Sequence, residues 1–270
     1  MIKKLSIEEV KQIQIKILQK FDLYCLQHNI KYSLAYGTLL GSIRHKGYIP
    51  WDDDIDIIVS REDYDYIVKN NSIDDQHRFI SYEIDSNFPF TFGKIMNTAT
   101  VLKELAEINY PDLGISIDVF PIDSFPRKLF NRKFKLIKID ILKKIHNIKI
   151  ICLSSNRSKL KNITLSLLKI VLLPISSKKI ILRIIKISRK KCKNCNYYGV
   201  GVWGYGEREV FNFDIMSETM TTQFENKQYP ITVHYDKVLK QLYGDYMKLP
   251  PTNKQISTHN FEAYCINGKQ

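Results

Sequence analysis

At 270 residues the chain is long enough to bury a full core, and its 44% hydrophobic and 26% charged content excludes default disorder. The formal net charge of +13 is unevenly spread: residues 127–195 hold 21 Lys and Arg against one acid, Asp140, so this block carries +20 and the remainder, 20 basic against 27 acidic residues, carries −7. That split excludes a uniformly basic nucleic-acid binder and describes a mildly acidic body with one cationic segment.

Met1 to Gln27 alternates Lys, Glu and Gln with Ile and Leu, unlike a cleavable signal peptide. With an odd count of five cysteines this predicts a reducing, cytoplasmic location, and free thiols at Cys192-Lys-Asn-Cys195, which lacks the second pair of a zinc site. No stretch reaches the roughly 18 to 20 uninterrupted apolar residues of a membrane span. The closest, Ile163 to Ile175, contains Lys169 and Pro174.

Residues 6–28 predict an amphipathic helix opened by a Ser6-x-x-Glu9 capping box, with Val10, Ile13, Ile17, Phe21 and Tyr24 at helical spacing. Ile30 to Tyr36 reads as a strand. Gly37-Thr38 then turns into a short helix through Arg44, with Thr38 as its N-cap, and such a strand–glycine–helix junction is an anion site. Asp54 to Val59 alternates acid and isoleucine before becoming wholly apolar, as a buried strand with one polar end does. Ser60 with Asp63 caps a helix through about Asn70, and Arg78–Ile84, Phe90–Met96 and Ile115–Phe120 read as further strands. The order predicts an α+β or mixed α/β core over 1–126, a mixed sheet flanked by helices. Residues 127–195 predict an inserted basic helical region, helical at 134–150 and 178–190. Residues 196–270 return to the catalytic domain, with a helix over Tyr235–Tyr246.

Four aspartates crowd positions 52 to 56 and run directly into Ile-Ile-Val. On a strand, Asp54 and Asp56 project from one face about 7 Å apart, while Ile55 and Ile57 face the core. Two such carboxylates suit one or two Mg²⁺ ions, or Mn²⁺ in its place, and Asp118, a single acid on an apolar strand, is the candidate third ligand. The opening of an EF-hand loop also fits Asp52-x-Asp54-x-Asp56, but its sixth position holds Ile57 where glycine is needed. Arg44, His45 and Lys46 read either as ion-pair partners of the acids or as a clamp for a diphosphate, with Gly37 and Thr38 admitting phosphate to backbone N–H groups.

The stretch "GTLLGSIRHKGYIPWDDDIDI" at 37–57 resembles the signature of the LicD family of phosphotransferases, which includes the fukutin-type enzymes. "DVFPID" at 118–123 agrees, as does the C-terminal "FENKQYPITVHYDKVLKQLYGDYMKLPP" followed by His259. The resemblance implies a nucleotidyltransferase-like fold whose Mg²⁺ site is built from Gly37, Thr38, Asp54, Asp56 and Asp118. It also implies transfer of phosphocholine or an alditol phosphate from a CDP-alcohol donor to a glycan hydroxyl, with release of CMP. Asp53 and His259 are further candidate substrate contacts, and a clustered acid is a candidate base. Choline would favour an aromatic cage, for which Trp51, Trp203, Tyr205 and Phe211 are candidates. The basic block suits an interfacial surface on an anionic leaflet, where lipid-linked glycan acceptors lie, which places the chain peripherally at the inner face of the membrane. A nucleic-acid partner is not expected, because only Phe130 and Phe134 interrupt the block as aromatics. The competing readings are nucleotidyl transfer with release of pyrophosphate, and a non-catalytic membrane-surface binding protein.

Overall fold

A computed structural model gives the fold and describes residues 2–104, 110, 113–153, 157–191, 195–203, 205–257 and 261–266. The chain opens with β1 (Ile2–Lys4) and α1 (Ile7–His28), where the capping box forms: Glu9 N–H donates to Ser6 Oγ at 3.2 Å and Ser6 N–H to the Glu9 carboxylate at 2.9 Å. One face of α1 buries Val10, Ile17, Leu18, Phe21 and Tyr24, which pays the helix's entropy by packing on the sheet. There follow β2 (Tyr32–Leu34), α2 (Tyr36–Arg44), β3 (Asp56–Ser60), α3 (Arg61–Lys69), β4 (His77–Ile80), β5 (Gly93–Asn97), β6 (Thr100–Glu104) and β7 (Ser116–Pro126). The basic block supplies α4 (Leu129–Ile150), α5 (Lys159–Val171) and α6 (Ser177–Ser188). After it come β8 (Cys195–Val200), β9 (Val210–Phe211), β10 (Thr219–Phe224), β11 (Lys227–Thr232), α7 (Tyr235–Tyr243) and β12 (Phe261–Ile266).

The class is α+β, and the main sheet has seven strands in the order β2-β3-β7-β5-β4, with β8 on β7 and β9 on β8. Within it β3 and β7 run parallel and the other pairs antiparallel. β7 is longer than the predicted Ile115–Phe120 because it serves several partners: residues 118–122 pair with β3 on one side, while residues 116–119 pair with β5 and residues 122–126 with β8. Chain segments on either side of the basic block are thereby joined in one sheet. β12 lies between β1 and β6 in a separate sheet and ties the C-terminal segment to the start of the chain.

Some elements begin elsewhere than predicted. β3 starts at Asp56, leaving Asp54 on the approach to the strand and not on it. β4 stops at Ile80, because Ile84 and Asp85 both donate to Ser81 O and turn the chain. Cys195 is disulfide-bonded, against the free thiol expected there. Cys192 lies outside the described residues.

Candidate active site

The register of the central strands assembles the site. Asp56 on β3 lies opposite Asp118 on β7, and Asp118 lies opposite Lys94 on β5, so three charged side chains stand in a row on one face of an otherwise apolar sheet. Lys94 Nζ meets Asp118 Oδ1 at 2.6 Å. Asp56 is only 9% exposed. Burial, followed by the charges of Asp54, Asp118 and Asp52, holds its carboxyl well above the usual range, with Lys94 opposing.

The start of α2 clamps this row from above. Asp56 N–H donates to Thr38 Oγ1 at 2.9 Å, and Ala35 N–H donates to Asp56 O at 2.9 Å. Thr38 is therefore not the N-cap; Ala35 holds that position, and the Thr38 hydroxyl instead satisfies the first backbone donor of β3. A Cβ on Gly37 would stand 2.4 Å from Asp52 Oδ2. The space assigned to phosphate from sequence is thus taken by the Asp52 carboxylate, which suits the positive end of α2.

The carboxylate oxygens of Asp52, Asp53 and Asp54 come within 4.8 Å of one another, the tightest acidic trio among the described residues; Asp56 and Asp118 stand outside it and act on it through charge. Asp53 is buried and accepts a 2.6 Å bond from Ser257 Oγ in the C-terminal segment. Its backbone oxygen accepts from Gln14 Nε2 at 3.0 Å. The same buried amide reaches Ser116 O at 3.4 Å and accepts from the Tyr48 hydroxyl at 2.9 Å. One side chain of α1 therefore fixes the acidic loop relative to β7.

Arg44, His45 and Lys46 lie at the opposite end of α2 from Gly37, about 10 Å along the helix by its rise. Arg44 Nη1 donates to Tyr246 O at 2.7 Å, and among the described residues no ion pair joins Arg44 or Lys46 to the acids. Burial and the Arg44 charge lower the His45 pKa, so this ring favours its neutral form. The basic trio and the acidic row are not drawn to one point. His259 lies outside the described residues.

Several residues at the site carry no signal of motif type. Lys94 lies on the predicted strand Phe90–Met96, but nothing in the sequence marked it as a partner of Asp118. Tyr36 opens α2 with φ +45°, a left-handed conformation unusual for a bulky residue, and its ring lies 5.2 Å from Phe120 and 6.4 Å from Tyr205. Burial, followed by Tyr205 and then the charges of Asp56, Glu209 and Asp52, raises the Tyr243 hydroxyl far above its ordinary value. Glu209 is 2% exposed and accepts from Tyr205 N–H at 2.8 Å. Burial pushes its carboxyl up to about 7, against Tyr36, the Tyr205 N–H and Lys143. The four aromatics proposed as a cage do not converge: Trp203 and Tyr205 share one groove, Trp51 lines another beside α1, and Phe211 is buried against Phe213.

The family model described as "LicD/FKTN/FKRP, nucleotidyltransferase domain" matches residues 29–134, the span that contains α2, the acidic loop, Lys94 and Asp118. The lipopolysaccharide cholinephosphotransferase LicD of Haemophilus influenzae is 31% identical over 280 aligned positions, covering 98% of this chain and 100% of that protein. The chain belongs to the LicD family. Uncharacterized proteins of Rickettsia prowazekii and Rickettsia typhi are each 44% identical to it over 68 and 63 residues, about a fifth to a quarter of either chain. The nucleotidyltransferase-like part of this chain is the part that builds the acidic row.

Proposed function

We propose that this LicD-family chain is a Mg²⁺-dependent phosphotransferase that moves a phospho-alcohol, phosphocholine or an alditol phosphate, from a CDP-linked donor to a hydroxyl of a cell-surface glycan. The observation that carries the reading is the Asp56–Asp118 pair, two cross-strand acids on one sheet face beside Asp52 and Asp54. Burial and this crowding together raise the Asp56 carboxyl, with Lys94 opposing. A set made only of carboxylate oxygens fits Mg²⁺, or Mn²⁺ in its place, with Asp54, Asp56 and Asp118 as holders. When bound, the ion supplies charge neutralisation to an in-line displacement at a diphosphate.

The protein's own groups set the geometry. Thr38 and Ala35 lock the Asp56 backbone, Gln14 fixes the acidic loop, and Lys94 orients Asp118. In the transfer the acceptor oxygen bonds to the distal phosphorus, the bridging P–O bond breaks and CMP departs with the bridging oxygen. The hydroxyl proton passes to a clustered carboxylate. CMP release should be assayed with Mg²⁺ and membrane glycan extract against CDP-choline, CDP-glycerol and CDP-ribitol. We expect turnover of one donor, reduced about 10²-fold or more in Asp54→Asn at unchanged fold. Pyrophosphate released from a nucleoside triphosphate would instead assign nucleotidyl transfer.

We further infer that the protein works peripherally at the inner face of an anionic membrane. Among the described residues no helix is long and apolar enough to cross a bilayer. The apolar side chains of α5 (Leu160, Ile163, Leu167 and Val171) are exposed along one helical face among lysines, and this helix buries no residue.

A further inference from the structure

A groove of about 520 Å³, within the range of small-molecule pockets, runs between α4 and the segment that follows β8. Its walls include Lys133, Ile137 and Lys143 from α4 and Val200, Trp203 and Tyr205 from the other side. We infer that this groove binds a sugar ring of the acceptor glycan, with Trp203 and Tyr205 as its stacking platform. The assignment rests on the phosphotransferase reading only for calling that sugar the acceptor.

Four observations converge on it. First, the groove lies near the acids: the Tyr205 ring is 6.4 Å from Tyr36, whose ring is 5.2 Å from Phe120, two residues beyond Asp118 on β7. Tyr205 also lies close enough to Asp56, Asp54 and Asp52 for their charges to raise its hydroxyl, behind burial and Glu209. Second, the platform is held in place. Tyr205 N–H donates to the buried Glu209 at 2.8 Å, and the Trp203 ring packs 5.6 Å from Phe92. Glu209 acts here as a positioning residue. Third, the charges suit a sugar better than choline. Lys143 Nζ stands 5.1 Å over the Trp203 ring, and a quaternary ammonium on that ring would meet a like charge. The groove's acids are already paired, Asp140 with Lys144 at 2.8 Å and Glu207 with Arg132 at 2.7 Å. Fourth, Ile137 belongs both to this wall and to the exposed apolar ridge of α4 formed with Phe130, Phe134 and Ile141. The groove therefore opens beside the outward apolar face of α4.

The test reads binding without turnover. The chain has two tryptophans, so Trp51→Phe leaves Trp203 as the single indole reporter. Deacylated membrane glycan extract should shift Trp203 emission saturably with no donor present. Tyr205→Ala in that background should weaken the response at least tenfold while circular dichroism stays unchanged. The response should persist when Asp54→Asn is added, so loss of catalysis and loss of the groove are read separately. A folded protein with no emission shift, or an equal shift evoked by CMP or CDP-choline alone, would overturn the assignment.

Discussion

Glu209 is a buried carboxyl whose titration falls near neutrality, about 7 in the fold against an ordinary 4.5. Between those values the native state keeps a proton that the unfolded chain has lost, so stability falls as pH rises through the window. The full loss, on the order of 3 kcal/mol, is reached above pH 7 and absent below the unfolded value. Glu209→Gln retains an oxygen for the Tyr205 N–H and removes the titration. Thermal melts at pH 5 and pH 8 should therefore differ less in the variant than in the wild type, and equal differences would show that Glu209 is not the source. The contrast with Asp56 marks the limit of the sequence at this scale. Asp54, Asp56 and Asp118 were legible because acids next to isoleucines are conspicuous. Lys94, Tyr36 and Glu209 were not, because their importance arises from register and burial that bring positions 36, 94 and 209 to one place.

Among elements, α3 is fastened to β7 by a buried bidentate pair, Arg61 to Asp123 at 2.8 and 2.7 Å. Burial acts to lower the Arg61 guanidinium, but the Asp123 charge and its hydrogen bonds outweigh it. Asp123→Ala leaves that guanidinium buried and unpaired, a cost of about 3–5 kcal/mol. The expected fall in melting temperature is roughly 10 °C, with much of it recovered in Arg61→Met/Asp123→Leu. A melting temperature within 2 °C of wild type, on the order of one kcal/mol or less, would show that the pair does not tie these elements. Helices α1 and α3 were legible from caps and periodicity, because their apolar faces do what periodicity implies, and α7 was placed correctly but ends at Tyr243, short of the expected Tyr246. α4 is different. Its inward face carries Arg132, Ile139 and His146, while Phe130, Phe134, Ile137 and Ile141 point outward at helical spacing. The pattern announces a helix but not which face is buried. The polar inward groups are accommodated by partners that sequence spacing cannot display: Arg132 bonds Glu207 and the carbonyls of Pro126 and Arg127, and His146 Nε2 meets Pro89 O at 2.8 Å.

For the whole molecule, the outward apolar face of α4 supports the proposed membrane surface over the alternative that a lysine-rich block also allows, a soluble helical lid. Phe130 is 79% exposed and stacks on Phe134, and the apolar stripe of α5 is likewise open, all within the block that carries +20. Exposed aromatic and aliphatic side chains are worth about 1.5–3 kcal/mol each when buried, and each nearby Lys or Arg about 1 kcal/mol on an anionic leaflet. Either contribution alone gives weak attachment, whereas the two together give stable peripheral binding. The protein should therefore sediment with vesicles containing phosphatidylglycerol and only weakly with pure phosphatidylcholine. Phe130→Ala/Phe134→Ala, which disturbs no buried contact, should weaken that partition at least about tenfold, and raised salt should weaken the wild type in the same direction. Equal binding to both vesicle types, or an unaffected double variant, would return α4 and α5 to the role of a soluble lid. The acceptor groove would then have to draw its glycan from solution, although its chemistry would be unchanged.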